Sequence, residues 1–321
     1  MTVFRLGYVA MSKQVVNGSS SQTMTYKSFC QLVDREAAIR KLERIAKSNI
    51  HNCLRLLKHN KSLDISFFRL SSRLVPLATH QELADWNYLQ VLQDDLDALG
   101  RYAKENKMRL DFHPDHFVVL NSPKEDIIKM SVKTLRYHQR LLTGMKIPTS
   151  HRCVLHVGGL YSDKQKALER FIDNWGRMNG ELQQMIMLEN DDKSFTIKDV
   201  LYLSEKLGVP SVFDLHHHFA NHQELDWFSD WPRILETWKN SRLPVKVHFS
   251  SPKNEQNFRH HADYVDPNMV FEFAQKVSGT VNHVDCMIEA KQKDNALVQL
   301  VKDLQKFPQV KWVNDSTFVL E

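Results

Sequence analysis

The chain has 321 residues, 42% of them hydrophobic, and its 43 Lys and Arg against 38 Asp and Glu give a net charge of +5. That length is ordinary for one α/β barrel with a large core. No uncharged apolar run reaches membrane-spanning length, and the four scattered cysteines offer neither a disulfide framework nor a C-x-x-C metal site.

The opening segment MTVFRLGYVA has no basic stretch followed by a long apolar one, so it is expected to be a strand and not a signal peptide. A cytoplasmic protein with reduced, mostly buried thiols is expected. From there, short runs rich in β-branched and aromatic residues alternate with amphipathic stretches. The predicted strand Phe4–Val9 is followed by a helix at Ala37–Leu57, and Ile65–Ser71 by Gln81–Asn106. Arg109–Pro114 precedes Lys124–Thr143, Cys153–Gly159 precedes Asp163–Gln184, and Ile186–Asn190 precedes Ile197–Leu207. Ser211–His216, Pro244–Ser250 and Val284–Ala290 complete the strands, followed in turn by Trp231–Lys239, Pro267–Lys276 and Asp294–Gln305. Thr79 before a helical run, Ser122 with Pro123 as a first helical residue, and Gly208 after a helix supply end signals.

Eight strands alternating with eight helices predict a (β/α)8 TIM barrel, with residues 1–321 forming a single domain. A doubly wound open sheet is the alternative. It lacks its usual mark, since neither G-x-G-x-x-G nor G-x-x-x-x-G-K-[ST] occurs, and no nucleotide cofactor is expected.

Barrel strands are buried, so charged or imidazole groups at their C-terminal ends need a reason. Here they recur: Asp111 and His113, then His156, then Glu189-Asn190-Asp191, then Asp214 with His216, His217 and His218. Strand seven adds Lys246 and His248, and strand eight adds Asp285 and Glu289. Any one could be a satisfied rim or core residue, but six consecutive strands ending this way point to divalent cations. His113, His156, Glu189, Asp214, His217, His248, His261 and Glu289 make eight donors, more than the roughly four to six ligands of a single ion. At least two ions are therefore expected, an arrangement suited to phosphoryl transfer. Mixed imidazole and carboxylate donors suit Mn or Zn better than Mg or Ca.

The motifs Phe68-Arg69-Leu70-Ser71-Ser72, His113-Pro114, Leu155-His156-Val157-Gly158-Gly159, Leu188-Glu189-Asn190-Asp191, Asp214-Leu215-His216-His217, Lys246-Val247-His248-Phe249-Ser250, His261-Ala262-Asp263-Tyr264 and Asp285-Cys286-Met287-Ile288-Glu289-Ala290-Lys291 occur in this order. With them the chain resembles the UV damage endonucleases, relatives of endonuclease IV, over nearly its whole length. The resemblance implies incision of damaged double-stranded DNA immediately 5′ of pyrimidine dimers, other photoproducts and abasic sites, leaving a 3′-hydroxyl. It also implies a three-metal centre, commonly occupied by manganese; two to three divalent ions per chain, Mn(II) by preference, and a monomer are expected. His113 and His156 would hold one ion with Glu189; Glu189, Asp214, His248 and Glu289 a second; His217 and His261 a third, with Asp214 or another carboxylate. His217 is preferred to His216 because it keeps the family's D-x-x-H spacing, and Asp263 is a further candidate. Glu189, Asp214, Glu289 and Lys246 are the candidate catalytic groups. Lys246 shares a strand face with His248 and either neutralises carboxylates or, as the resemblance suggests, is carboxylated.

The loop after strand three departs from the family pattern His-Pro-Gly-Gln-aromatic, reading His113-Pro114-Asp115-His116-Phe117. His116 and Phe117 would take the places that enter the duplex at a lesion, or Phe117 would be a core aromatic under the loop. Tyr8 would line the same pocket or fill the barrel, and Arg73, Lys253, Arg259, Lys291 and Lys293 would meet phosphates. A metal-dependent sugar isomerase or epimerase of the same barrel type is the alternative activity.

Overall fold

In the computed structural model, which describes residues 1–320, the strands are β1 (Val3–Val9), β2 (Phe67–Arg69), β3 (Arg109–Asp111), β4 (Cys153–His156), β5 (Ile186–Glu189), β6 (Ser211–Asp214), β7 (Val245–Phe249) and β8 (His283–Ile288). All are parallel and pair in the order β3-β2-β1-β8-β7-β6-β5-β4. A bridge from Phe112 to Cys153 joins the two ends, with Phe112 N–H donating to Arg152 O at 2.7 Å and Val154 N–H to Phe112 O at 3.0 Å. The expected (β/α)8 barrel is what forms. Around it lie α1 (Tyr26–Cys30), α2 (Arg35–Ser62), α3 (Tyr88–Glu105), α4 (Glu125–Gly144), α5 (Lys164–Gly176), α6 (Gly180–Met185), α7 (Ile197–Leu207), α8 (Leu215–Ala220), α9 (Trp231–Trp238), α10 (Pro267–Val277) and α11 (Asp294–Leu304). Among the described residues no helix is long and apolar enough to cross a membrane.

Local chemistry sets the helix ends. Asp34 caps α2 by accepting the Glu36 N–H at 2.9 Å, and Ala38, Leu42, Ala46, Ile50, Cys53 and Leu57 bury one stripe of that helix. Thr196 and Asp199 form a capping box on α7, which Gly208 ends at φ +69°.

Four expectations need correction. The helix predicted over Gln81–Asn106 begins at Tyr88; before it lies only a single 3₁₀ turn, Gln81–Leu83, capped by His80 and not Thr79. Pro123 is not a first helical residue, because α4 starts at Glu125 and Ser122 Oγ takes the Lys124 N–H at 3.1 Å. Asp163–Gln184 is two helices, the second started by Asn179, which accepts the Glu181 N–H at 2.7 Å. Strand six stops at Asp214, whose carboxylate accepts the His217 N–H at 2.7 Å and begins α8, so His216 is helical.

A C-terminal hairpin, β9 (Val310–Asn314) and β10 (Thr317–Leu320), lies outside the predicted elements. On β1, short β2 reaches only Tyr8 and Val9, leaving the first half of that edge bare, and β10 covers it antiparallel from Val3 to Arg5. The four cysteines are free; Cys53, Cys153 and Cys286 are buried and Cys30 is exposed.

Strand alternation sends two kinds of polar residue into the barrel. Deep inside, Arg109 donates to Asp111 at 2.9 Å and to Asp285 at 2.8 Å, Arg5 meets Asp285 at 2.7 Å, and Lys246 Nζ lies 3.3 Å from Asp111. The second kind, at the C-terminal ends, forms the site described next.

Candidate metal centre

Glu189, the last residue of β5, is fully buried and stands among four imidazoles. Its Oε2 is 2.8 Å from His113 Nε2 and 3.5 Å from His156 Nε2. Its Oε1 is 2.6 Å from His248 Nδ1 and 3.8 Å from His217 Nδ1. Asp214 Oδ2 lies 3.7 Å from His217 Nδ1 and 4.0 Å from His248 Nδ1. Glu289, just beyond β8, completes the ring with Oε1 3.2 Å from His248 Nδ1.

This donor set fits cations. A backbone carbonyl can only accept, so the 3.0 Å contact of His113 Nδ1 with Pro114 O places the ring proton on Nδ1. Nε2 then presents its lone pair to a carboxylate oxygen at 2.8 Å, a separation typical of neighbouring donors on an ion with bonds of about 2.0–2.2 Å. His217 Nδ1 is likewise fixed by Asn190 O at 2.9 Å, which frees its Nε2. Asp214 Oδ2, which faces His217 and His248, is buried with no hydrogen-bond partner, the kind of orphan that a ligand would satisfy. Three groups have ligand atoms mutually within 4.8 Å: His113, His156 and Glu189; Glu189, Asp214 and His217; Glu189, His248 and Glu289. Glu189 belongs to all three.

The charges are strongly coupled. Burial alone would raise the carboxyls of Glu189 and Glu289, but His248 and His156 around the first and Arg69 beside the second hold both well below the usual range. Asp214 goes the other way: desolvation, with Glu189 and Glu289 nearby, pushes it up to about 7 despite His217. His217 gains from the same three carboxylates and rises to about 9 against its own desolvation. Desolvation takes His156 down to about 3 and His248 to about 4.

Seven of the eight predicted donors meet in these groups. His261 belongs to none of the three groups but borders them, its ring centroid 6.2 Å from that of His217. His216 has both nitrogens engaged, with Ser250 Oγ at 2.7 Å and Phe258 O at 2.7 Å, so His217 is the member of the histidine run that faces the cluster. Asp263 is exposed.

Lys246 shares the inward face with His248 but sits deeper, between Asp111 and the Phe67 ring, where burial lowers its pKa to about 8. None of the cluster carboxylates is within 4 Å of it. Asp111 and Asp285, two of the polar strand ends, belong to the same deep network. Tyr8 is not brought to the mouth: it points outward and donates its hydroxyl to Asn60 of α2 at 2.6 Å. The reason is alternation, since Gly7 and Val9 hold the inward positions of β1.

A depression of about 640 Å³ opens over the cluster, walled by His116, Phe117, His156, His217, Arg259 and His261. Phe117 is 63% exposed and therefore not a core aromatic. Arg73 reaches over the same loop, 3.6 Å from Asp115; Lys253 and Lys291 are exposed and Lys293 is half-buried.

Two residues that the sequence reading quotes only within motifs, without a role, hold the site in place. Arg69, at the end of β2, donates to Glu289 at 2.5 Å. Asn190 clamps Asp214 by its backbone, accepting the N–H and donating to the C=O, each at 2.9 Å. Arg69 carries the same signal as the others, a charged group closing a barrel strand, but a guanidinium does not ligate a metal and so falls outside a count of donors.

A family model described as UV-endonuclease UvdE matches residues 4–319. The UV DNA damage endonuclease of Halalkalibacterium halodurans is 50% identical over 313 residues, covering 97% of each chain. That of Bacillus cereus is 37% identical over 316 residues, 98% of this chain and 99% of the relative. Among solved structures, SacUVDE superposes with a TM-score of 0.82 at 29% identity, over 95% of this chain and 100% of that one. Endonuclease IV from Thermus thermophilus, at 11% identity and a TM-score of 0.53 over 94% and 97% of the two chains, shares the fold.

Proposed function

Because the chain belongs to the UV-endonuclease UvdE family, we propose that it hydrolyses the phosphodiester immediately 5′ of UV photoproducts in double-stranded DNA, leaving a 3′-hydroxyl, and that it also acts at abasic sites. The family and the relatives' names favour DNA over the sugar substrates of an isomerase. The observation that carries the chemistry is the buried Glu189 carboxylate, shared by three donor groups beneath an open mouth.

In this reading His113 and His156 would hold one ion, His248 and Glu289 another, and Asp214 with His217 a third, Glu189 would contribute to all three, and His261 would join from the rim. Two to three divalent cations, Mn(II) by preference, would neutralise phosphoryl charge and acidify water when bound. Arg69 and Asn190 keep Glu289 and Asp214 in place. Lys246 contributes from below, as part of the ionic floor. Phe117 and His116 lie on the lip, where an apolar or flat side chain can enter a weakened base step. Arg73, Lys253, Arg259, Lys291 and Lys293 supply backbone contacts that do not depend on sequence. The protein would act as a cytoplasmic monomer, with the whole chain serving as one catalytic domain.

A duplex carrying one defined photoproduct tests this. After chelation and dialysis, incision 5′ of the lesion is expected only when Mn(II) is returned. Undiminished cutting by the metal-free protein, or none with Mn(II), would count against the reading.

A further inference from the structure

Three surface depressions share walls. Phe117 lines both the mouth and a neighbouring cleft of about 180 Å³. That cleft in turn shares Ala78, Thr79 and Tyr137 with a larger one of about 530 Å³. The three therefore adjoin, from His156 and His217, past Phe117 and Arg73, to the side of α4.

Four cations of α4 line the cleft beside that helix: Lys129, Lys133, Arg136 and Arg140. Steps of four, three and four residues put them on one helix face over roughly 16 Å. Glu125, the carboxylate in this cleft, is taken by Arg177 at 2.7 and 3.2 Å. Among the described residues none of the four has a carboxylate within 4 Å, and Lys129, Arg136 and Arg140 are exposed. Like charges at this spacing weaken a helix, and a polyanion lying on that face would relieve them.

We propose that the DNA footprint continues over these adjoining depressions, with the α4 stripe gripping backbone phosphates of the flank beyond the lesion. The proposal rests on the reading of damaged DNA as substrate. The cleft that the stripe lines adjoins the mouth through the shared walls, and its charge complements DNA. It would lengthen the footprint without touching the lesion or the metal donors.

The test is equilibrium binding over a range of salt. One duplex carries a single photoproduct with long flanks, and others are trimmed on one side or the other. The combined variant Lys129→Gln, Lys133→Gln, Arg136→Gln and Arg140→Gln is compared with the parent. On the long duplex its slope of log affinity against log salt should be shallower by about 0.9 for each phosphate left unneutralised, about 3 to 4 in all. Trimming one particular flank should give the parent that same shallow slope. Lys302→Gln with Lys306→Gln, near the far end of α11, should keep the parental slope. Should the fourfold variant fail to fold, Lys133→Gln with Arg136→Gln should still lower the slope by about 1.8. A folded variant with the parental slope on the long duplex would overturn the proposal, as would loss of binding to an acidic peptide alone. Incision of the trimmed duplexes by the parent is scored separately, so a failure of the proposed activity is not mistaken for a failure of the flank contact.

Discussion

Glu189 Oε1 lies 2.6 Å from His248 Nδ1, with both side chains fully buried, and this contact ties the end of β5 to β7 at the centre of the donor ring. The other carboxylate oxygen reaches His113 at 2.8 Å, so one side chain links three strands of the barrel.

Replacing that carboxylate by an amide keeps the shape and removes the charge. Glu189→Gln should lower incision by about a hundredfold or more, the scale of losing charge stabilisation at a reacting phosphate. Bound Mn(II) should fall with it, because the residue belongs to all three donor groups. The fold should persist, since an amide can still bond the neighbouring rings. Near-normal incision and metal content would remove Glu189 from the centre.

Lesion selection should depend on Phe117, which is 63% exposed on the lip of the mouth. Phe117→Ala should leave the melting temperature and metal content unchanged. It should slow incision of photoproduct duplex more than of abasic duplex, where one stacked base is already missing and opening the step costs less. Equal losses on both substrates, with a lower melting temperature, would show a structural role instead.

Lys246 separates the floor of the barrel from its mouth. Lys246→Met removes one cation from the buried network while Asp111 keeps Arg109 at 2.9 Å. The expected loss is about 1–3 kcal/mol, less than for a fully broken buried pair. Metal content after reconstitution should be unchanged. A fall in bound metal without a change in stability would instead make Lys246 part of the metal site.

The barrel is legible in the sequence because each strand is a short apolar run closed by polar residues. What alternation gives is the face of a strand, not the depth at which a side chain sits. Lys246 and His248 share a face, yet only register with β8 shows that Lys246 stands beside Asp285, in the deep layer, and His248 one step higher, beside Met287. Asp111 and Asp285 look like mouth residues in the sequence for the same reason. The choice between His216 and His217 turns on where α8 starts, which the Asp214 cap decides. Tyr8 faces outward because its neighbours Gly7 and Val9 take the inward positions. The hairpin Val310–Asn314 and Thr317–Leu320 has little apolar alternation of its own, and its reason for forming is the bare edge of β1.

The most direct test of a multinuclear centre is the number of ions held per chain. The purified protein would be stripped, reconstituted with Mn(II), freed of excess metal by gel filtration and submitted to elemental analysis, with circular dichroism confirming the fold. About two to three ions per chain are expected from the three donor groups joined at Glu189. A folded protein that retains one ion or none would contradict it.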